Sequence, residues 1–163
     1  MTAPDAPILR PARAGEAALL GDIACAAKAS WGYAPAQLDA WRAELRVTEQ
    51  QLVSQPTIVA LMSDEFAGFV MLAPGPQAWS VDHLWVLPAW QHRGIGRALL
   101  QAATAQAALG NASSLRIESD PHAEAFYLSC GAHRVETISA PIPSAPARVI
   151  PIMRLPLWGQ VRR

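Results

Sequence analysis

The stretch that most constrains this chain runs Leu84-Trp85-Val86-Leu87-Pro88-Ala89-Trp90-Gln91-His92-Arg93-Gly94-Ile95-Gly96-Arg97-Ala98-Leu99. It reads as a strand, a proline stop, a glycine turn and a helix. The first amides of a helix have no intrahelical partner, and the helix dipole adds positive potential there. Glycines let a ligand approach such a backbone closely. Successive N–H groups from Arg93 to Ala98 are then placed to wrap a pyrophosphate, with Arg93 and Arg97 adding charge. An ordinary strand-to-helix turn, its glycines only relieving strain, has the same appearance. A P-loop is excluded because no lysine follows the glycines. A dinucleotide fingerprint needs a small third residue where Leu99 stands, although Glu118 lies roughly twenty residues on, where a ribose-binding acid is expected. A nicotinamide-dependent oxidoreductase therefore stays open as a rival.

Around this turn the chain alternates helix and strand signals. Ile8 to Arg10 reads as a short strand and Glu16 to Ser30 as a helix with Leu19, Leu20, Ile23 and Ala27 on one stripe. Trp31-Gly32-Tyr33 breaks it, and a second helix runs from Pro35 to Leu45. Thr48-Glu49-Gln50-Gln51 matches a capping box. Thr57 to Met62 and Phe66 to Ala73 form a hairpin about Ser63-Asp64-Glu65, and Trp79 to Leu87 is the next strand. A helix over Gly94 to Leu109 stops at Gly110-Asn111, and Leu115 to Glu118 is a short strand. Asp120-Pro121 opens a helix reaching about Cys130, where Gly131 takes the left-handed cap. Arg134 to Ser139 and Arg148 to Leu155 are the last strands, joined by the proline-rich loop Pro141–Pro146. Without repeats or linkers, residues 1–163 read as one domain of the α/β or α+β class.

Composition excludes several functions. Thirteen basic residues balance thirteen acidic ones, without the basic surplus of a nucleic-acid binder. No apolar run is long enough to span a membrane and no signal peptide opens the chain, so a cytoplasmic protein is expected. Cys25 and Cys130 form no metal cluster with the four histidines and read as reduced thiols.

Gln91-His92-Arg93-Gly94-Ile95-Gly96 resembles the acetyl-CoA signature Q/R-x-x-G-x-G/A of the GCN5-related N-acetyltransferase (GNAT) superfamily. A second block, Asp120-Pro121-His122-Ala123-Glu124-Ala125-Phe126-Tyr127-Leu128-Ser129-Cys130-Gly131-Ala132, resembles the family's N-x-x-A-x-x-F-Y-x-x-x-G-F helix. The resemblance implies a mixed, twisted central sheet of about six to seven strands flanked by helices. It also implies acetyl-CoA as cofactor and direct acetyl transfer to an amine acceptor, either a small molecule, an amino acid or a peptide. A homodimer is implied by resemblance alone, and a non-catalytic acyl-CoA sensor on the same fold is the alternative.

By the same resemblance, main-chain groups of Leu84, Trp85 and Val86 bind the pantetheine arm and acetyl oxygen. Gln91, His92, Arg93, Gly94, Ile95, Gly96, Arg97 and Ala98 bind the pyrophosphate. Asp120 stands where the family often has asparagine as a further cofactor contact. Tyr127 matches the tyrosine that protonates the departing sulfur. Strand alternation puts Asp82 with Leu84 and Val86 on the face towards the reacting centre, so Asp82 is the first candidate to relay the amine proton. His83 points away, and Glu118 comes third. Trp31 and Tyr33 are expected at the acceptor site with the Pro141–Pro146 loop.

Overall fold

The computed structural model describes residues 5–157. Among them, strands β1 (Ile8–Pro11), β2 (Thr57–Met62), β3 (Glu65–Ala73), β4 (Ala78–Val86), β5 (Ser114–Glu118), β6 (His133–Ser139) and β7 (Val149–Pro156) form a mixed sheet in the order β1-β2-β3-β4-β5-β7-β6. The helices are α1 (Ala17–Ala29), α2 (Pro35–Leu45), α3 (Glu49–Ser54), α4 (Ile95–Leu109) and α5 (Glu124–Ser129). The described residues group into two compact units, 5–72 with 82–103, and 73–81 with 104–157.

In the first unit, β1, β2 and β3 pair antiparallel. Ser63 and Asp64 both take positive φ, 49° and 66°, the two-residue turn whose twist suits a tight hairpin. Helix α1 starts where Glu49, in the first turn of α3, receives the backbone N–H groups of Gly15 and Ala17. Thr48 and Gln51 complete the capping box that holds Glu49 in place. Leu20, Ile23 and Ala24 of α1 then bury against Val59, Phe69 and Met71, with Trp85 and Leu87 packed alongside. The Arg10 guanidinium, chiefly by hydrogen bonding, holds the Glu16 carboxyl below the usual carboxylate range against the opposing effect of burial, and the Arg13 amide adds to it.

In the second unit, β4 runs parallel to β5 over Ala78–Val81, and β7 pairs antiparallel with both β5 and β6. Every residue of the edge strand β6 is exposed. The segment after Asp120 differs from a single helix. A 3-10 turn over Pro121–Ala123 precedes α5, because the Asp120 side chain caps the amide of His122 and tightens the first turn. Gly131 does take the left-handed conformation, at φ 96°.

Gly68 of β3 faces β4 so closely that an added Cβ would press into the Trp85 carbonyl oxygen and lie 3.1 Å from Val86 Cα. The obstacle is backbone, which cannot rotate aside. Gly21 of α1 would meet its nearest neighbour, the Val47 amide nitrogen, at an ordinary 3.5 Å. Gly68→Ala is therefore expected to cost about 2 kcal/mol through overpacking, whereas Gly21→Ala should gain about 0.5 kcal/mol from helix propensity. Urea unfolding of the two variants checks the opposite signs.

Candidate functional site

The chain leaves β4 at Val86 and turns through a 3-10 segment, Pro88–Trp90, into α4. His92 and Gly94 take positive φ, 62° and 82°, which swings the backbone round to start the helix. The first helical bond runs from the Ala98 N–H to the Gly94 carbonyl, 3.0 Å. The amides of Gly94, Ile95 and Gly96 thus stand ahead of the helical ladder. Ala98, expected to offer its amide to a phosphate, is corrected: its N–H already belongs to that ladder. A Cβ at Gly94 would meet nothing within 4 Å, so the space beside these amides is open. Arg93, Gly94 and Arg97 are exposed, while Ile95 anchors the turn at 1 % exposure. The Arg93 guanidinium lies 5.0 Å from the Trp90 ring centroid, a stacking that restrains the charge. These donors and cations fit a diphosphate.

Gln91 has a structural task in the same turn. Its Nε2 donates to the Val86 carbonyl at 3.1 Å, bracing the turn against the strand it left. One acceptor position of that carbonyl, expected to serve a ligand, is used internally.

Alternation along β4 divides its chemistry. The register with β5 ends at Val81 opposite Ile117. Asp82 is exposed, and its Oδ2 receives Gln55 Nε2 at 2.8 Å. The same Gln55 amide donates to the Leu72 carbonyl at 3.1 Å, which ties Asp82 to the end of β3. His83 is 7 % exposed and lies 5.7 Å from the Phe69 ring. Its Nδ1 accepts the Trp85 indole N–H at 3.0 Å, an arrangement that assigns the proton to Nε2. Burial pushes the His83 pKa down, and the opposing charge of Asp82 is the smaller influence. His83 is thus a neutral acceptor that fixes the Trp85 ring.

Trp31 and Tyr33 lie between α1 and α2. Trp31 packs 5.7 Å from Trp85, and Tyr33 meets Trp41 of α2 edge to face at 4.8 Å. Sequence reasoning missed Gln55 and Trp41. Nothing local marks either; Gln55 gains its partners where the end of α3 meets β3 and β4, and Trp41 where α2 meets Tyr33 and α1.

In the second unit Tyr127 is 6 % exposed and stacks edgewise on Phe126 at 5.1 Å. Burial first, and the Cys130 thiol second, raise its pKa well above an ordinary phenol, so its hydroxyl keeps its proton at neutral pH. Asp120 turns inward. Its Oδ1 receives the His122 amide at 2.9 Å and lies 2.8 Å from His122 Nδ1, while its Oδ2 lies 3.6 Å from Arg148. Glu118 pairs with Arg116 at 2.9 Å. In the proline loop, Ile142 and Ala145 exchange backbone hydrogen bonds at 3.2 and 2.9 Å, and Arg148 Nη1 donates to the Ala140 carbonyl. Among the described residues no group of three histidine, cysteine or acidic side chains is placed to hold a metal, and no helix is long and apolar enough to cross a membrane.

Residues 24–132 match the model of the acetyltransferase (GNAT) family. Among solved structures, the chain is similar to a GCN5-related N-acetyltransferase from Rhodopseudomonas palustris, with TM-score 0.76 and 22 % identity over 96 % of this chain and 99 % of that one. It is similar to the PaiA N-acetyltransferase of Thermoplasma acidophilum in complex with coenzyme A, with TM-score 0.74 and 15 % identity over 93 % and 99 %. A GNAT family acetyltransferase from Elizabethkingia anophelis with acetyl-CoA bound gives TM-score 0.67 and 18 % identity over 92 % and 97 %. At these identities the likeness is one of fold. No curated protein matches the sequence.

The His83–Trp85 bond sets a pH signature. With its folded pKa lowered from 6.5, His83 takes up a proton more readily in the unfolded chain, so its share of stability is full above 6.5 and is lost as pH falls below it. Replacing His83 by Gln, whose amide oxygen still accepts from Trp85, should flatten the stability profile just below pH 6.5. Chemical denaturation across that window reads the difference, and an unchanged slope in the variant would remove His83 as its source.

Proposed function

Because this chain belongs to the acetyltransferase (GNAT) family, we propose that it transfers the acetyl group of acetyl-CoA directly to an amine acceptor, whether a small molecule, an amino acid or a peptide. The observation that carries this reading is the turn at Gly94. Amides there stand ahead of the α4 ladder, beside open space, with Arg93 stacked on Trp90. A diphosphate placed against them satisfies donors the helix cannot. In this reading His92, Arg93, Gly94, Ile95, Gly96 and Arg97 hold the pyrophosphate, and the main chain of Leu84, Trp85 and Val86 holds the pantetheine arm.

The thioester supplies an activated acetyl group. The acceptor nitrogen forms the new C–N bond as the C–S bond breaks, so a proton must leave the nitrogen and another must reach the sulfur. Asp82 takes the first, directly or through water; Gln55 positions its carboxylate. The second comes from water, while the sulfur accepts a hydrogen bond from Tyr127. Its raised pKa keeps the hydroxyl protonated, and it also makes the phenol a weaker acid than an ordinary thiol. Tyr127 therefore acts chiefly as a hydrogen-bond donor that steadies charge growing on sulfur. Asp120, engaged with His122 and Arg148, shapes the start of the α5 segment in this reading and touches the cofactor less than its sequence position implies. Trp31 and Tyr33 line the acceptor site.

Cys25 and Cys130 are free thiols, which supports a reducing compartment such as the cytoplasm as the place of action. Pairing of two copies through the C-terminal strands belongs to the same reading, and the exposed edge strand β6 supports it.

Free-thiol release from acetyl-CoA, screened across amino acids, aminoglycosides, diamines and peptides, should appear with one acceptor class; silence with every class would leave only a binding protein. With that acceptor, Tyr127→Phe should lower kcat about 100-fold with little change in acetyl-CoA affinity.

A second variant isolates the phosphate turn. Asparagine tolerates the left-handed region, so Gly94→Asn keeps the backbone while filling the open space. Calorimetry should show acetyl-CoA binding weakened by about tenfold or more, roughly the worth of one lost charge-assisted contact. Unchanged affinity would move the phosphate site elsewhere.

A further inference from the structure

Three basic side chains stand in one row across the second unit. Arg116 of β5 is directly opposite Arg154 of β7, and Arg154 is directly opposite His133 of β6. Direct partners on neighbouring strands share a face of the sheet. The other face of β5 and β7 carries Leu115, Ile117, Met153 and Leu155, all buried. On the face of the row, Arg154 and His133 are exposed and Arg116 is half-buried. Arg154 and His133 also line a groove of about 500 Å³, together with Ser113, Ser114, Pro156 and Leu157. Ser114 and Pro156 are the next cross-strand pair on the same face, so the groove continues directly from the row.

Like charges directly opposite one another on paired strands are destabilising. The acids of these strands do not relieve the centre of the row. Glu118 is engaged with Arg116 at 2.9 Å. Glu124 is engaged with Arg134. Glu136 lies beyond the bulge in β6, opposite Ile152. Among the described residues neither it nor Arg154 nor His133 forms an ion pair or a side-chain hydrogen bond. An arginine and a histidine therefore face each other across two strands with their donors open to solvent. Arg116 keeps further N–H groups beyond the one given to Glu118.

We propose that this row and its groove bind a small phosphate monoester, with the phosphate over Arg154 between Arg116 and His133 and the organic body in the groove. A guanidinium offers paired N–H donors to two oxygens, and an imidazole offers one more. A carboxylate has two oxygens and a single charge, so one arginine satisfies it. A phosphate monoester has three free oxygens and roughly two negative charges at neutral pH, which matches donors arriving from three strands. Seated there, it also turns the repulsion along the row into attraction. The groove is of a size that suits a small molecule, and its lining is apolar apart from the two serines and the basic pair. The site uses neither Asp82, Tyr127 nor the turn at Gly94, so it stands independently of the acetyltransferase reading.

Two histidines make the test site-specific. In protein labelled with nitrogen-15 histidine, His133 reports the row and His92 reports the turn at Gly94; His133→Gln and His92→Gln assign the two signals. Phenyl phosphate should shift the His133 signal saturably, and phenol should leave it in place. Inorganic phosphate, which leaves the groove empty, and benzoate, which has one charge, should each bind about tenfold more weakly than phenyl phosphate. Arg154→Gln should weaken phenyl phosphate by about tenfold, roughly the worth of one charge-assisted contact. A His133 signal unmoved by saturating phenyl phosphate would overturn the proposal, as would movement of His92 alone or equal affinity in Arg154→Gln. Benzoate binding as tightly as phenyl phosphate would overturn the choice of phosphate. Acetyl-CoA added to the complex should leave the His133 signal shifted; its return to the free position would give the row to the cofactor instead. Should Arg154→Gln fail to fold, the His133 titration of the parent chain and the benzoate comparison still decide.

Discussion

Between Val86 and Ile95 the backbone must stop a strand, reverse and begin a helix whose first amides face outward. Two residues in the left-handed region make the reversal, His92 at φ 62° and Gly94 at φ 82°. Glycine reaches that region at no steric cost, whereas histidine does so at some expense. The strain is held in place from both sides. Gln91 ties the turn back to the Val86 carbonyl, and Ile95 is buried at 1 % exposure beneath it. Without these anchors the start of α4 would drift, and with it the positive end of the helix dipole. The same strand is pinned at Gly68, where the backbones approach too closely for any Cβ. The chemistry proposed for the chain depends on this one rigid passage from sheet to helix.

Most polar side chains that look chemical in the sequence turn out to be engaged within the protein. His83 has the intrinsic pKa for proton transfer, yet its Nδ1 lone pair receives the Trp85 indole and burial disfavours its charge. Asp120 accepts from His122 and lies beside Arg148. Glu16 and Glu49 secure the start of α1. The proposed reaction draws on a modest set: main-chain amides, an exposed carboxylate at Asp82 and a buried, protonated phenol at Tyr127. Such a set suits a reaction in which the acyl donor is already activated and the protein needs mainly to orient two reactants and manage two protons.

How far this was legible in the sequence follows from the range of the forces involved. Local rules placed the strands and helices well, because proline, glycine and side-chain caps act within a few residues. Thr48 and Gln51, Ser63-Asp64 and Gly131 all behave as their types dictate. The segment after Asp120 was read as one helix, and it broke because a single side chain both caps the His122 amide and packs against Arg148. Alternation along β4 correctly separated exposed Asp82 from buried His83. It was silent about Gln55 and Trp41, whose partners arrive only when α3 meets β3 and β4 and α2 meets α1. Cation–π contacts have no spacing signature, so the seat of the Lys28 ammonium 4.3 Å from the Trp41 ring centroid could not be read from its neighbours in the chain.

The two faces of β4 offer their side chains different surroundings. Asp82 lies on one face, held by Gln55 and exposed to water. Trp85 lies on the other, where its ring joins Trp31 and its N–H is spent on His83. The Trp85 ring, held at its N–H by His83 and at its face by Trp31, contributes shape to the packed side of the strand. Asp82, braced by Gln55, keeps its carboxylate open to water on the other side. Alternation thus lets one strand carry a packed aromatic and a solvent-facing acid within four residues.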